Sequence, residues 1–377
     1  MGPRKRTLLL RLSFVALLLG QQSVFALLAF DGNRNQVFVF GSAALAYDSN
    51  LFAQPGGASD VTETFTVGAD LNRKAGLITL SATAAVAFVR YDRHTNLNAV
   101  NPNLLVNLEK ASGRLTGSLM FNPYRTEQAD SAVNLHTTSW NVPVTLSLRY
   151  PINERFYVTS QSAWQERRYE DSGLLLHNYD DFAEGVDGYY TYTSKLDLLA
   201  GYRVRWAHTD LERSVDQNFS VGATGALLPK LNGLVRVGYQ QRQVRGNASS
   251  FSQLSASGQL TWNASRKLSV TALLSKDFNT AATAVSVDSL AASLNASYAM
   301  TRRLQFEAGL GFGRNRFLDQ GEDGRLDDFF SCNAGASYNL NERFKVSGAY
   351  SYFRNSSNLA LAGFDREQYS VNLTGRF

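Results

Sequence analysis

The stretch Tyr369-Ser-Val-Asn-Leu-Thr-Gly-Arg-Phe377 interleaves two sequences. In an extended chain successive side chains point to opposite faces, so Tyr369, Val371, Leu373, Gly375 and Phe377 share one face and Ser370, Asn372, Thr374 and Arg376 the other. One face is apolar and the other suits water. The same pattern recurs upstream: Trp140, Val142, Val144, Leu146, Leu148 and Tyr150 alternate with Asn141, Thr145, Ser147 and Arg149, and Leu268, Val270, Ala272 and Leu274 alternate with Ser269, Thr271 and Ser275. These runs last about ten to fourteen residues, the length a tilted strand needs to cross a bilayer, whereas strands of water-soluble sheets typically run about five to six.

One phrase joins such runs four times: Tyr150-Pro-Ile-Asn-Glu-Arg-Phe-Tyr-Val158, Trp262-Asn-Ala-Ser-Arg-Lys-Leu-Ser-Val270, Tyr298-Ala-Met-Thr-Arg-Arg-Leu-Gln-Phe306 and Tyr338-Asn-Leu-Asn-Glu-Arg-Phe-Lys-Val346. Each copy has an aromatic closing one strand, a small polar residue, a basic residue and an apolar residue opening the next strand, which reads as a tight antiparallel turn. Looser copies place the basic residue at Lys74, Arg114, Lys195 and Lys230. With Arg155, Lys267, Arg303 and Arg343 they recur at roughly 35 to 41 residues, a period that marks an array or ring of units. Each unit is then two strands, a tight turn and a longer loop rich in Asn, Asp, Gly and Ser. The fold expected is all-β: a transmembrane antiparallel up-and-down β-barrel of about 18 strands (16 to 18), with short periplasmic turns and longer extracellular loops. Its weakest strand is 182–192, where Asp181-Phe-Ala-Glu-Gly-Val-Asp-Gly188 is poor strand material.

The first residues read differently. Arg4, Lys5 and Arg6 precede an apolar run, Leu8 to Gly20, and Val24-Phe25-Ala26 offers the small residues a signal peptidase reads. Residues 1–26 are expected to be a signal peptide and residues 27–377 the barrel. The formal charge of +5 includes Arg4, Lys5, Arg6 and Arg11, so the remainder carries +1. A nucleic-acid partner, which needs a concentrated basic face, is not indicated. The single Cys332 excludes an internal disulfide. A hydrophobic content of 44% and a mean hydropathy of −0.21 suit a soluble protein or a β-barrel equally, because barrel strands are apolar only on alternate residues.

Placed at the periplasmic rim, Tyr150, Tyr192, Trp262, Tyr298, Tyr338 and Phe377 end descending strands in the apolar phase, while Phe156 and Phe344 open ascending ones. They predict an aromatic belt at one membrane interface. The opposite phase holds Arg167, Asp197, Arg203, Arg205, Arg236, Arg242, Glu307 and Lys345. Charges facing lipid would cost about 2–4 kcal/mol each at mid-bilayer, so these residues are expected to line a polar lumen. Basic residues outnumber acidic ones in this set, which favours anions weakly, although counter-charges from loops would cancel the effect. Tyr157 and Tyr169 share the lumen phase, either as a stacking surface for sugars or as filler beside the wall. Gly309, Gly311 and Gly313 lie along one face of a strand, as a close-packed or lumen-facing wall requires, rather than in a phosphate-binding turn.

No catalytic, cofactor or metal constellation stands out. His94, His136, His177 and His208 fall near extracellular strand ends without the spacing of a nucleophile motif or a metal site. The expectation is that the protein is not an enzyme and needs no cofactor.

The ending on Phe377, with apolar residues at alternate positions before it, resembles the C-terminal signal that barrel-insertion machinery reads in bacterial outer-membrane proteins. Tyr47-Asp-Ser-Asn-Leu-Phe52 reads physically as a turn with Asp48 and Asn50 bonding back to the backbone and Leu51 and Phe52 anchoring the loop. Together with Leu228-Pro-Lys-Leu-Asn-Gly233 and Val237-Gly-Tyr-Gln-Gln-Arg242, it also resembles the bacterial outer-membrane family named putative beta-barrel porin, some members of which accompany exopolysaccharide systems. The resemblance implies an outer-membrane location and supplies no catalytic residues. The reading is a porin-like channel for passive diffusion of small hydrophilic solutes or saccharides, in contact with outer-membrane lipid and as a monomer or a homo-oligomer. Two alternatives stay open: a structural or export-associated barrel of an exopolysaccharide system, and an outer-membrane hydrolase using His136 or His208. Among the loops, Glu170–Asp180, with Leu174-Leu-Leu176, is the best candidate to fold inward as a constriction, and an extracellular contact explains it equally well.

Overall fold

Antiparallel pairing runs without a crossover from one end of the chain to the other and then closes on itself. The computed structural model describes residues 28–30, 35–130, 133–170, 176–245, 249–318 and 324–377. The expected signal peptide, 1–26, lies outside them. The strands are β1 (Leu28–Phe30), β2 (Asn35–Asp48), β3 (Asp60–Ala75), β4 (Ile78–Tyr91), β5 (Ala99–Lys110), β6 (Thr116–Phe121), β7 (Tyr124–Asp130), β8 (Leu135–Pro151), β9 (Phe156–Tyr169) and β10 (Tyr179–Thr193). They continue as β11 (Leu196–Thr209), β12 (Arg213–Leu228), β13 (Leu231–Arg245), β14 (Ser250–Trp262), β15 (Leu268–Thr280), β16 (Ser286–Ala299), β17 (Leu304–Phe317), β18 (Leu326–Asn339), β19 (Phe344–Ser357) and β20 (Phe364–Arg376).

β1 pairs only with the start of β2, and β6 and β7 are two halves of one stave, so the ring has 18 staves. β2 closes it against β20, from Phe40↔Arg376 to Asp48↔Gln368, and Val39 and Phe377 exchange backbone hydrogen bonds of 3.0 and 2.8 Å beyond that ladder. The stave made of β6 and β7 is interrupted at Asn122-Pro123. Pro123 and, across from it, Pro143 have no N–H to give the ladder. The weak strand 182–192 forms in full as β10, paired along its length to β9 and β11. Pairing on both sides fixes the backbone, and of its acidic residues Asp181 and Asp187 face the lumen while Glu184 takes the outward phase.

The repeated phrase works as a turn cap. Asn153 Oδ1 accepts the N–H groups of Arg155 and Phe156, both at 2.9 Å. Ser265, Thr301 and Asn341 do the same for the basic and apolar residues that follow them, at 2.8–3.2 Å. The carbonyl of the basic residue then accepts an N–H from the end of the next descending stave: Thr191 to Arg155, Asn263 to Lys230, Ala299 to Lys267, Asn339 to Arg303 and Arg376 to Arg343. Each turn therefore also ties its hairpin to the next. Replacing Asn341 with alanine is expected to cost about 1 kcal/mol, the usual loss for a side-chain cap, with the barrel intact. Urea unfolding in lipid bilayers would measure it.

Directly paired residues share a face, so the register sorts every side chain. The lipid face carries a lower belt of Tyr150, Phe156, Tyr192, Trp262, Tyr298, Tyr338 and Phe377. Arg114 lies over the Tyr150 ring at 4.8 Å and Arg343 over Phe377 at 5.9 Å. An upper belt of Trp164, Phe182, Trp206, Phe312, Phe330, Tyr369, Phe65 and Phe88 runs around the other rim. Phe182 stacks on Trp206 at 5.8 Å, and Phe312 meets Phe330 at 5.2 Å. Immediately above it the outward phase turns polar, at Glu63, Arg90, Glu166, Asp180, Gln217, Gln241, Arg314, Asp328 and Glu367. The two belts bracket the apolar band.

The wall is not sealed throughout. β5 pairs with β7 only at Asn103↔Tyr124, so Ala99–Pro102 and Arg125–Asp130 have no ladder between them. β14 pairs with β15 only from Ala256↔Lys276 downward, which leaves Ser250–Ser255 without that neighbour. These two seams run from mid-wall to the extracellular rim, with eight of the staves, β7 to β14, on one side of them.

Candidate functional site in the lumen

At each seam a hairpin leaves the wall and enters the barrel. Asp277 accepts from Arg203 on β11 at 2.8 Å and from Gln240 on β13 at 2.6 Å, and Arg205 on β11 donates to the Phe278 carbonyl. β11 and β15 are four inter-strand spacings apart, about 19 Å along a wall with strands about 4.8 Å apart, so the top of β15 must cross the lumen to reach it. Arg242, fully buried, fixes it there: its guanidinium bonds both oxygens of Asp216 at 2.6 and 2.8 Å, the Asn279 carbonyl at 2.7 Å and Ser286 Oγ at 3.3 Å, and lies over the Phe278 ring at 5.3 Å. Arg205 shares Asp216.

The β7–β8 hairpin turns inward on the other side. His136 on β8 meets the Tyr91 hydroxyl on β4 at 3.4 Å, and Asn134 donates to the Ala53 carbonyl at 2.5 Å. Arg125 bridges the open seam, donating to the Val100 carbonyl, Asn101 and Glu127 and, through two bonds of 2.6 and 2.7 Å, to Glu170. Its hydrogen bonds hold the Glu170 carboxyl, outside the strands, below the usual range. Val133 from this hairpin packs on a buried cluster of Tyr169, Leu176 and Ala282, and the His177 N–H donates to the Ala282 carbonyl at 2.9 Å. Loops from opposite sides thus meet across the extracellular mouth. The constriction expected from Glu170–Asp180 comes chiefly from the two seam hairpins, with Leu176 and His177 joining it; residues 171–175 lie outside the described set. Ala53, Asn134, Ala284 and Leu361, all in these loops, adopt left-handed backbone conformations.

Asp48 and Asn50 close the first loop as their turn chemistry implies. Asp48 Oδ1 accepts the Asn50 N–H at 2.9 Å and pairs with Arg366, while Asn50 holds Gln54 from both sides. Leu51 is buried and Phe52 lies edge-on to His94 and His136.

Below the mouth, the eight charged residues singled out in the sequence occupy the inward phase and make two groups. Six sit on β9–β13 and find partners: Arg167 donates to Asn141 at 2.8 Å, Asp197 accepts from the Tyr157 hydroxyl at 2.8 Å, and Arg236 forms a two-pronged pair with Asp187, 2.8 Å at each oxygen. Arg203, Arg205 and Arg242 pair with Asp277 and Asp216 as above. Glu307, with Gln305 at 3.0 Å, and Lys345 lie apart near the periplasmic end of the opposite wall. That wall is mostly neutral, carrying Asn295, Gly309, Ser331, Asn333, Ser351 and Asn372. The glycine row lies inward, as a close-packed wall requires: a Cβ at Gly309 would come within 2.6 Å of the Asn295 amide oxygen, and one at Gly313 would meet the Phe329 ring.

The basic surplus read from the sequence is therefore offset by Asp187, Asp216 and Asp277. Asp277 continues the polar phase of Ser269, Thr271 and Ser275, and Asp216 lies near the start of β12. Tyr157 stacks on Tyr189 with centroids 4.5 Å apart, and Arg149 lies over its ring at 3.9 Å, so this aromatic pair is built into the charged wall. Between the two arginine–aspartate pairs lies a recess of about 140 Å³, lined among others by Asp187, Arg203, Ser220, Arg236, Ser255 and Asp277.

The histidines serve local structure. His94 pairs with Asp60 at 2.8 Å, His136 faces Tyr91, and His208 accepts from Arg213 at 3.2 Å. Among the described residues, no group of His, Cys, Asp or Glu is placed to hold a metal ion.

A closed 18-stave barrel with an apolar outer band, two aromatic belts and a polar lumen is an outer-membrane barrel of the porin type. Residues 201–377 match the family described as "Putative beta-barrel porin 2", in line with the resemblance read in the sequence over that part of the chain. No curated protein matches the sequence. Among solved structures, the fold is similar to OccK2 (OpdF) of Pseudomonas aeruginosa, with a TM-score of 0.51 and 10% identity over 93% of this chain and 100% of that one; OccK2 is also solved in complex with glucuronate. It is similar as well to OpdK of Pseudomonas aeruginosa solved with vanillate, with a TM-score of 0.51 and 8% identity over 90% of this chain and 99% of that one. At such identities the likeness is one of fold.

Proposed function

We propose that the protein is a passive outer-membrane channel for small hydrophilic solutes, including single sugars and small carboxylates, which pass along the charged wall of β9–β15 beneath the loop-filled mouth. The observation that carries this reading is the recess between Asp187–Arg236 and Arg203–Asp277. Two paired charges and several serine hydroxyls present donors and acceptors together, the set that hydroxyl-rich solutes need, in a space of about 140 Å³. A solute that exchanges its water for these groups loses little hydrogen bonding on the way through. Glucuronate and vanillate, bound by the two structural relatives, are of the size proposed. Residues 1–26 would be removed on export, and the strand ending at Phe377 would be read by the insertion machinery.

Planar-bilayer recording of the refolded mature chain tests the reading; a folded barrel that gives no conductance steps would overturn it. Arg236→Ala should expose Asp187 to the recess and shift the reversal potential in a KCl gradient toward cation preference. An unchanged potential would remove the recess from the path.

A further inference from the structure

Among the described staves, one carboxylate stands in the outward phase a row below Trp164 and Phe182 of the upper belt. Ser160 and Ser162 on β9 and Glu184 on β10 face lipid together. Ser160 Oγ donates to Glu184 Oε1 at 2.8 Å and Ser162 Oγ donates to Oε2. The register fixes the depth of this island. Trp164 and Phe182 of the upper belt pair directly, one step above Ser162 and Glu184, while Phe156 and Tyr190 of the lower belt pair below. The carboxylate does not reach up toward the headgroups: Ser160, one of its donors, pairs with Val186 and lies deeper than Glu184 itself.

An ionised or merely polar carboxyl in hydrocarbon needs more than two hydroxyl donors, and acyl chains supply none. Its surroundings admit close approach. Gly188 and Ala200, directly paired one row below Val186 and Tyr202, make a low floor beside the serines. Small residues of this kind let two membrane-embedded surfaces come together.

We propose that this face seats a second copy of the chain across a two-fold axis, forming a dimer in the membrane. The choice of occupant follows from complementarity. A two-fold contact needs a patch that matches itself. Both serine O–H groups are given to Glu184 within one copy, so across the axis they are exchanged or shared, each carboxyl with lone pairs still open taking a serine O–H of the other copy.

The dimer fraction of the mature chain in liposomes, followed by energy transfer between labelled copies over a range of protein-to-lipid ratios, tests the proposal. Wild type should dimerise, E184L should do so roughly tenfold more weakly or worse, as loss of a cluster of intramembrane hydrogen bonds implies, and E184Q should stay near wild type. Heat-modifiable gel mobility checks that each barrel is folded. In a Cys332→Ser background, Val186→Cys should cross-link between copies on oxidation, and Leu294→Cys, on the far side, should not. The proposal is overturned if E184L dimerises as wild type does, or if wild type is monomeric at every ratio.

Discussion

Replacing Arg242 with alanine is expected to loosen the β15–β16 hairpin on the lumen wall, where Arg203, Gln240 and Arg205 still hold Asp277 and the Phe278 carbonyl, and to raise single-channel conductance several-fold. Arg242 is the one side chain that joins the wall residue Asp216 to the crossing strand at Asn279 and Ser286 while covering Phe278. Once it is gone, Asp216 keeps only Arg205, and Phe278 loses the cation over its ring. Breaking a buried pair by removing one partner costs about 3–5 kcal/mol, and the sharing of Asp216 with Arg205 places this change toward the lower end. The remaining ladder of the barrel does not depend on the hairpin tip, so the cost should fall on the constriction before the fold. Paired planar-bilayer and urea-unfolding measurements check both parts. Arg242→Lys, which keeps the charge but not the planar fork, should fall between. Unchanged conductance in a folded Arg242→Ala barrel would mean that the hairpin does not limit passage.

The barrel was legible because two solvents write it. Lipid on one side and water on the other impose a period of two on each stave, and the turn phrase marks where one stave hands over to the next. The capping role of Asn153, Ser265, Thr301 and Asn341 was less visible, since any turn favours small polar residues. The seams were not legible at all. The alternation continues through Ser250–Ser255 and on to Thr280, so Phe278 reads as a lipid-facing neighbour of Leu274; in the structure it is 1% exposed under Arg242. Local pattern says which face a side chain takes relative to its strand, but not that the strand has left the wall. Glu184 is illegible for the opposite reason: in a stretch of poor strand propensity the alternation does not define a phase, so an acid there does not stand out as an exception in a lipid face.

The orientation of the staves makes a second large effect predictable from two adjacent residues. Leu294 and Asn295 sit in the middle of β16. Leu294 pairs with Ala272 and Leu310 on the lipid face, and Asn295 pairs with Thr271 and Gly309 on the lumen face. Leu294→Arg should destabilise the barrel by about 2–4 kcal/mol, the cost of a cation near the bilayer midplane. Asn295→Arg places the same side chain over a glycine row and among amides in a hydrated space, and should change stability by less than about 1 kcal/mol. It should instead alter conductance, because it adds a cation to a neutral stretch of the lumen wall and so raises anion preference in a KCl gradient. Urea unfolding in bilayers of defined thickness and reversal-potential recordings separate the two. Equal destabilisation by both substitutions would contradict the assignment of faces, and with it the lumen on which the channel reading rests.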